Sequence, residues 1–227
     1  MGTLIGMDYL WVVAVVAVLA VILVVTGRLG VSRARRERQE WQALLSSSMR
    51  VAGEDLARFT EEFHALALAA ERHPDALVRG LHSRAEAALA DAQAAFKSVS
   101  DSAEVGGVTE ILREGQYTLA CLQARLAGDP LPERRQPCFF NPAHGPSDRD
   151  VEWSTDAAPS HTVPACAADA ARLLAGAEPN IRTVPRGAHR VPHWEGGPAY
   201  RAWSQGYFGH GQRAAPERWA ITPVQVD

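Results

Sequence analysis

The distribution of apolar positions divides the chain into three regimes. From Tyr9 to Val25 it reads YLWVVAVVAVLAVILVV, a run without a charge, and Thr26 and Gly27 extend it to Arg28. Nineteen helical residues span roughly 28 Å, which matches a hydrocarbon core of about 30 Å. Residues 9–27 are therefore expected to form a transmembrane helix, preceded by a short external N-terminus, 1–8. Tyr9 and Trp11 stand at one end, where amphipathic rings favour an interface. Arg28, Arg33, Arg35, Arg36 and Arg38 follow the run, and only Asp8 precedes it as a charged side chain. By the positive-inside rule the N-terminus is then outside and the bulk cytoplasmic. A basic helical stalk, 28–49, follows, with a joint expected at Ser46, Ser47 and Ser48, which favour helix poorly.

The second regime repeats every three to four residues. Leu56, Phe59, Phe63 and Leu66 form one stripe on a helix of about 51–72. His73-Pro74-Asp75 interrupts it, because a residue before proline is disfavoured in a helix. Leu77, Leu81, Ala85, Leu89, Ala92, Phe96 and Val99 form a second stripe. Ser100 to Gly107 reads as a turn. Val108, Leu112, Gly115, Leu119, Leu122 and Leu126 form a third, stopped by Gly128, Asp129 and Pro130. Residues 50–129 are thus expected to be a helical hairpin or three-helix bundle. Its seam is thin in large side chains, so coiled-coil-like self-association or a partner protein is expected to add stability.

The third regime, 130–209, changes period. Val151 and Trp153 alternate with charged neighbours, and Thr162-Val163-Pro164 offers a pairing strand. Ala167 to Ala175 reads as a short helix ended by Gly176. Residues 181–185 and 189–194 read as a second hairpin turning at Gly187. Tyr200, Trp203, Tyr207 and Phe208 lie among glycines and are expected to pack over a small sheet rather than to stack on bases. Residues 210–227 read as a flexible tail. The fold class is α+β, with a small C-terminal β-hairpin and helix module.

Turn, hairpin and a helix led by a cysteine is the order of a treble clef, which uses C-x-x-C twice to surround zinc. Here the two knuckles read Cys138-Phe139-Phe140-Asn141 and Cys166-Ala167-Ala168-Asp169. Asn141 is a poor zinc ligand and Asp169 a moderate one, so the expected module is metal-free, with no metal, cofactor-binding or catalytic residue assigned. His144 and Cys121 are available to supplement the set. Buried thiols, a Cys138–Cys166 bridge outside the cell and a zinc site remain three distinct states of this pair. His64, His73 and His82 read as exposed or boundary residues, and His189 and His193 as surface residues of a hairpin.

Composition excludes several classes. Net charge is −3 across 227 residues, which gives no basic field for nucleic acid. Three separated cysteines exclude a dense disulfide scaffold. No phosphate-binding, dinucleotide, zincin or nucleophile-elbow motif occurs, and Cys138 with His144 as nucleophile and base rests on spacing alone.

The strings GQYTLACLQARLAGDPLPERRQPCFFNPAHGPSDRDVEW, VPACAADAARLLAG, RTVPRGAHRVPHW and GPAYRAWSQGYFG together resemble an uncharacterised family of single-pass membrane proteins from high-GC Gram-positive (actinobacterial) bacteria. The resemblance covers most of residues 105–209. It implies a membrane location and the same module order, and it brings no activity. The expected function is a membrane-tethered cytoplasmic adaptor that works by protein–protein interaction without catalysis. A membrane-anchored small-ligand or metal sensor is the alternative. The expected partners are membrane lipid through 9–27 and a protein partner or second copy through the helices, with no nucleic acid.

Overall fold

The computed structural model describes residues 5–155 and 158–209; side chains are described from residue 35 onward, except 155–159, and before it at Ala17, Leu19 and Leu23. The chain divides into two compact units, Met1–Ala43 and Leu44–Asp227. Helix α1 spans Ile5–Glu71, α2 Ala76–Ser98 and α3 Val105–Ala127. Strands β1 (Arg149–Thr155) and β2 (Ala158–Ala165) form one antiparallel hairpin, followed by α4 (Ala167–Leu174). Strands β3 (Thr183–Arg186) and β4 (His189–Pro192) form a second, and α5 (Arg201–Phe208) closes the described chain.

The membrane expectation is corrected. Among the described residues no helix is long and apolar enough to cross a membrane. A span needs about 20 consecutive apolar residues, whereas α2, α3 and the described side chains of α1 from Arg35 on combine apolar and polar positions. Residues 9–27 fall within α1, and most of their side chains lie outside the described ones. This removes the single-pass membrane assignment, the outside N-terminus and the cytoplasmic placement that depended on it. The external N-terminus and the tail 210–227 concern residues that are wholly or largely outside the described ones.

In the second unit, Val51, Phe59 and Phe63 of α1 meet Val78, Leu81 and Leu89 of α2 and Val108, Leu112, Leu119 and Leu122 of α3 in one buried cluster. No joint forms at Ser46–Ser48. The helix runs through, and Ser48, buried, donates its hydroxyl to the Leu44 and Leu45 carbonyls at 3.2 and 3.1 Å. Asp75 caps α2 by accepting from the Leu77 amide at 2.8 Å, which turns Val78 inward and leaves Leu77 39% exposed. Gly106 and Gly107 lie inside α3 and not in the expected turn, whose place is taken by a short capped turn at Ser102–Glu104. Gly106 is needed because α5 packs there: a Cβ would come within 3.0 Å of the Ala202 carbonyl oxygen.

A buried polar cluster ties α5 and the segment before β3 to α1. Asp55, 2% exposed, receives hydrogen bonds from Trp203 Nε1 at 2.7 Å and Tyr207 Oη at 3.1 Å. Arg182 Nη2 lies 2.9 Å from Asp55 Oδ1 and 2.9 Å from Glu54 Oε2, and donates to the Val51 carbonyl at 3.2 Å. Tyr200, Trp203, Tyr207 and Phe208 all join the bundle core.

Alanine at Gly206 would drive a Cβ onto Thr109 Oγ1 and the Gly106 carbonyl. Gly206→Ala is expected to cost about 1–3 kcal/mol, read as a lower urea midpoint. Gly80 has nothing within 4 Å, so Gly80→Ala in the same helix system is expected to stabilise by about 0.5–1 kcal/mol.

Burial pushes the Asp55 carboxyl up to about 6 from 3.8, against the lowering effects of Arg182, Trp203 and Tyr207. The folded chain therefore binds this proton more tightly than the unfolded chain. The contribution is complete below pH 3.8 and lost as pH rises through about 6. His193 runs the other way: burial lowers it from 6.5 to about 4, so its contribution is lost as pH falls through that window. Asp55→Asn is expected to steepen the loss of stability between pH 6 and 4 by about 1–3 kcal/mol. Denaturant titrations giving the variant and the wild type equal slopes over that window would contradict the assignment.

Candidate metal centre

Residues 136–148 fold into a closed knuckle. Pro137 and Pro146 form an isolated antiparallel bridge, the Cys138 amide donates to the Gly145 carbonyl at 3.0 Å, and the Ser147 amide to that of Gln136 at 2.8 Å. Inside it, Asn141 accepts from the Ala143 amide at 3.1 Å and caps the turn Pro142–His144. Gly145, at φ 80°, reverses the chain, a conformation that suits glycine. The result folds His144 back toward Cys138. Asn141 is spent as a cap, which is why it is not the second knuckle ligand that C-x-x-C spacing suggests.

The second pair comes from the hairpin. β1 and β2 pair Val151 with Val163 and deliver the chain to Cys166, which is the N-cap of α4 and accepts from the Asp169 amide through Sγ at 3.5 Å. One helical turn then places the Asp169 side chain beside Cys166. The Asp169 carboxylate is fixed at its other oxygen, where Oδ1 accepts from the Asn180 amide at 2.8 Å.

The four side chains converge. Asp169 Oδ2 lies 3.3 Å from Cys138 Sγ, 3.4 Å from Cys166 Sγ and 2.9 Å from His144 Nδ1, and Cys166 Sγ lies 3.5 Å from the same Nδ1. All four donor atoms fall within 4.8 Å of one another. Ligands held tetrahedrally around zinc at about 2.0–2.3 Å stand roughly 3.3–3.8 Å apart; the separations of 3.3, 3.4 and 3.5 Å fall in that range, that of 2.9 Å at His144 is shorter, and the widest spacing in the cluster reaches at most 4.8 Å. Cys138 is fully buried and Asp169 1% exposed. The donor set is two thiols, an imidazole and a carboxylate, a borderline-soft combination suited to zinc.

Electrostatics inside the cluster point the same way. Cys166 is brought down to about 5, first by the hydrogen bond from Cys138 and then by His144 and the Asp169 amide, against burial. Cys138 moves up, as the donor in that hydrogen bond and by burial. Burial works to raise Asp169, and the Asn180 amide, Cys138 and His144 together outweigh it and hold the carboxyl below its ordinary range. Three potential anions therefore share one pocket, and a divalent cation among them would allow both thiols to ionise.

The arrangement differs from a nucleophile–base–carboxylate triad. In a triad the base uses one ring nitrogen for the nucleophile and the other for the carboxylate. Here Cys166 and Asp169 meet the same Nδ1, so the three side chains do not stand in that order.

The remaining singled-out residues are elsewhere. Cys121 is buried in α3, within the bundle core. His64 is exposed and His73 partly buried, whereas His82 is buried and stacks on Phe63 at 5.1 Å, which corrects its boundary placement. His189 is exposed on β4. His193 is off the strand and 3% exposed, with Nε2 donating to the Phe139 carbonyl at 2.8 Å, so it is a core residue and not a surface one. Phe139 stacks on Trp194 at 4.8 Å, and Trp153 meets both, which sheathes the knuckle in aromatic rings.

Comparison with family models, with curated proteins and with solved structures finds no match to this chain.

Cobalt is expected to fill the site with tetrahedral d–d absorption and a thiolate charge-transfer band. Asp169→Asn is expected to lower zinc affinity by more than the roughly 10- to 100-fold that loss of an outer-shell partner costs. Asn141→Ala is expected to leave zinc stoichiometry unchanged while destabilising the turn by about 1 kcal/mol. Competition against a chromogenic chelator measures the affinity and stoichiometry, and denaturant titration the stability.

Proposed function

We propose that this chain is a zinc-stapled interaction protein, a non-catalytic adaptor whose C-terminal module is held in shape by one Zn²⁺ on Cys138, His144, Cys166 and Asp169. The observation that carries the reading is the convergence of four chain-derived donors within 4.8 Å. Four protein ligands saturate a tetrahedral ion, the pattern of structural sites, whereas catalytic zinc keeps a position for water. The net charge of −3 favours a protein partner over nucleic acid.

A metal-sensing role is the second reading, and one observation favours it. The Phe140 carbonyl, two residues from Cys138, accepts from the Arg182 amide at 2.8 Å, and the Arg182 side chain grips Asp55 and Glu54 on α1. Filling the site therefore bears on the contact between knuckle and bundle. A sensor would exchange zinc over a physiological range of free metal. A structural site would keep it.

Full-length protein purified without chelator is expected to carry one zinc per chain. Stabilisation by a ligand at 1,000 times its Kd is about 4 kcal/mol, so stripping the metal is expected to lower Tm by roughly 8–16 °C. Metal-free protein whose melting ignores added zinc would overturn the reading.

A further inference from the structure

We propose that Cys138 and Cys166 form a zinc-releasing redox switch, in which a hydroperoxide entering beside α4 converts the ligand pair into a disulfide. The inference rests on the zinc site proposed above and adds a covalent modification to it.

Access to the two sulfurs is unequal. A cavity of about 520 Å³ adjoins the site, lined among others by Arg58, Ser147, Cys166, Arg172 and Asn180. Cys166 borders this space and is 8% exposed, whereas Cys138 is fully buried behind it. A small oxidant thus meets one sulfur first and finds the other within reach. Both sulfurs lie against the same oxygen, at 3.3 and 3.4 Å from Asp169 Oδ2, and all donor atoms of the cluster fit within 4.8 Å. The two sulfurs, within 4.8 Å of each other, have to close to a bond of about 2.05 Å.

The chemistry balances with the hydroperoxide as the sole oxidant. The Cys166 sulfur attacks the terminal peroxide oxygen. The O–O bond breaks, the alcohol or water departs with a solvent proton, and Cys166 becomes a sulfenic acid. The Cys138 thiolate then attacks that sulfur, the S–O bond breaks, and the hydroxide leaves as water after taking a second proton. Two electrons pass from the thiol pair to the peroxide. Zinc loses two of its four ligands and departs. The bridge also removes two thiolates from beside the Asp169 carboxylate, so the emptied site is not left with three anions and no cation. A dithiol reductant reverses the bond by exchange, and zinc can then return.

The test uses the zinc-loaded full chain with a small molar excess of hydrogen peroxide. Metal content is measured first, zinc release is followed with a chromogenic chelator, and thiols are mapped by peptide mass spectrometry. Release is expected to track a Cys138–Cys166 crosslinked peptide in a one-to-one ratio, with Cys121 unmodified. A dithiol plus zinc is expected to restore the starting metal content. Cys121→Ser, outside the site, is expected to behave as the wild type. Zinc retained under peroxide that fully oxidises a free model thiol overturns the switch, as does release with Cys166 carried to sulfinic acid and no bridge, or a bridge to Cys121. A chain found without zinc at the outset and unable to take it up instead overturns the zinc site, and the switch with it.

Discussion

One carboxylate oxygen organises the C-terminal half of this protein. Asp169 Oδ2 stands against two sulfurs and an imidazole nitrogen, and it is aimed there because Oδ1 is held by the Asn180 amide. Such a concentration of donors inside protein carries a desolvation cost. The aromatic sheath of Phe139, Trp153 and Trp194 raises that cost by excluding solvent. A divalent cation bound there would offset it directly, which would make coordination and folding of the module two aspects of one equilibrium.

The module is joined to the helices by polar contacts as well as by packing. Arg182 donates to the knuckle through its backbone amide and to α1 through its guanidinium, while the Asp55 carboxylate also accepts from Trp203 and Tyr207 of α5. A buried ion pair is costly to desolvate and does not by itself imply net stability. It does specify position, since Asp55 is satisfied only when α5 and the segment before β3 are both seated. His193 performs the matching task on the other side, donating from Nε2 to the Phe139 carbonyl. Its low proton affinity keeps the ring neutral in that packed position. The opposite pH responses of these two groups follow from the same burial acting on an acid and on a base.

Helical periodicity made the bundle readable from local pattern. Phe59, Phe63, Leu81, Leu89, Leu112 and Leu119 stand at spacings that one helical face imposes, and all six are buried. The short hairpin around Gly187 was legible for a similar reason, because a φ of 62° there selects glycine. Where the apolar pattern misled, a specific contact had decided the outcome, distant in sequence for Gly106 and two residues away for Leu77. Gly106 resembles a turn residue until α5 is laid against it. Leu77 fits the apolar stripe until Asp75 sets the start of α2. The apolar run at 9–27 reads as a span on composition, while the described helices contain none able to cross a membrane.

The helical stripes, the hairpins and the cysteine at the head of α4 follow from local sequence, because each depends on neighbours within a few residues. The sequence also contained every donor of the candidate metal centre, although as Cys138-x5-His144 and Cys166-x2-Asp169 rather than as two C-x-x-C pairs. That these four belong together is visible once the chain is folded. Spacing along a chain does not state where a loop returns. That return is decided by the Asn141 cap, the positive φ of Gly145 and the β1–β2 pairing, which together bring atoms 31 residues apart into contact at 3.3 Å.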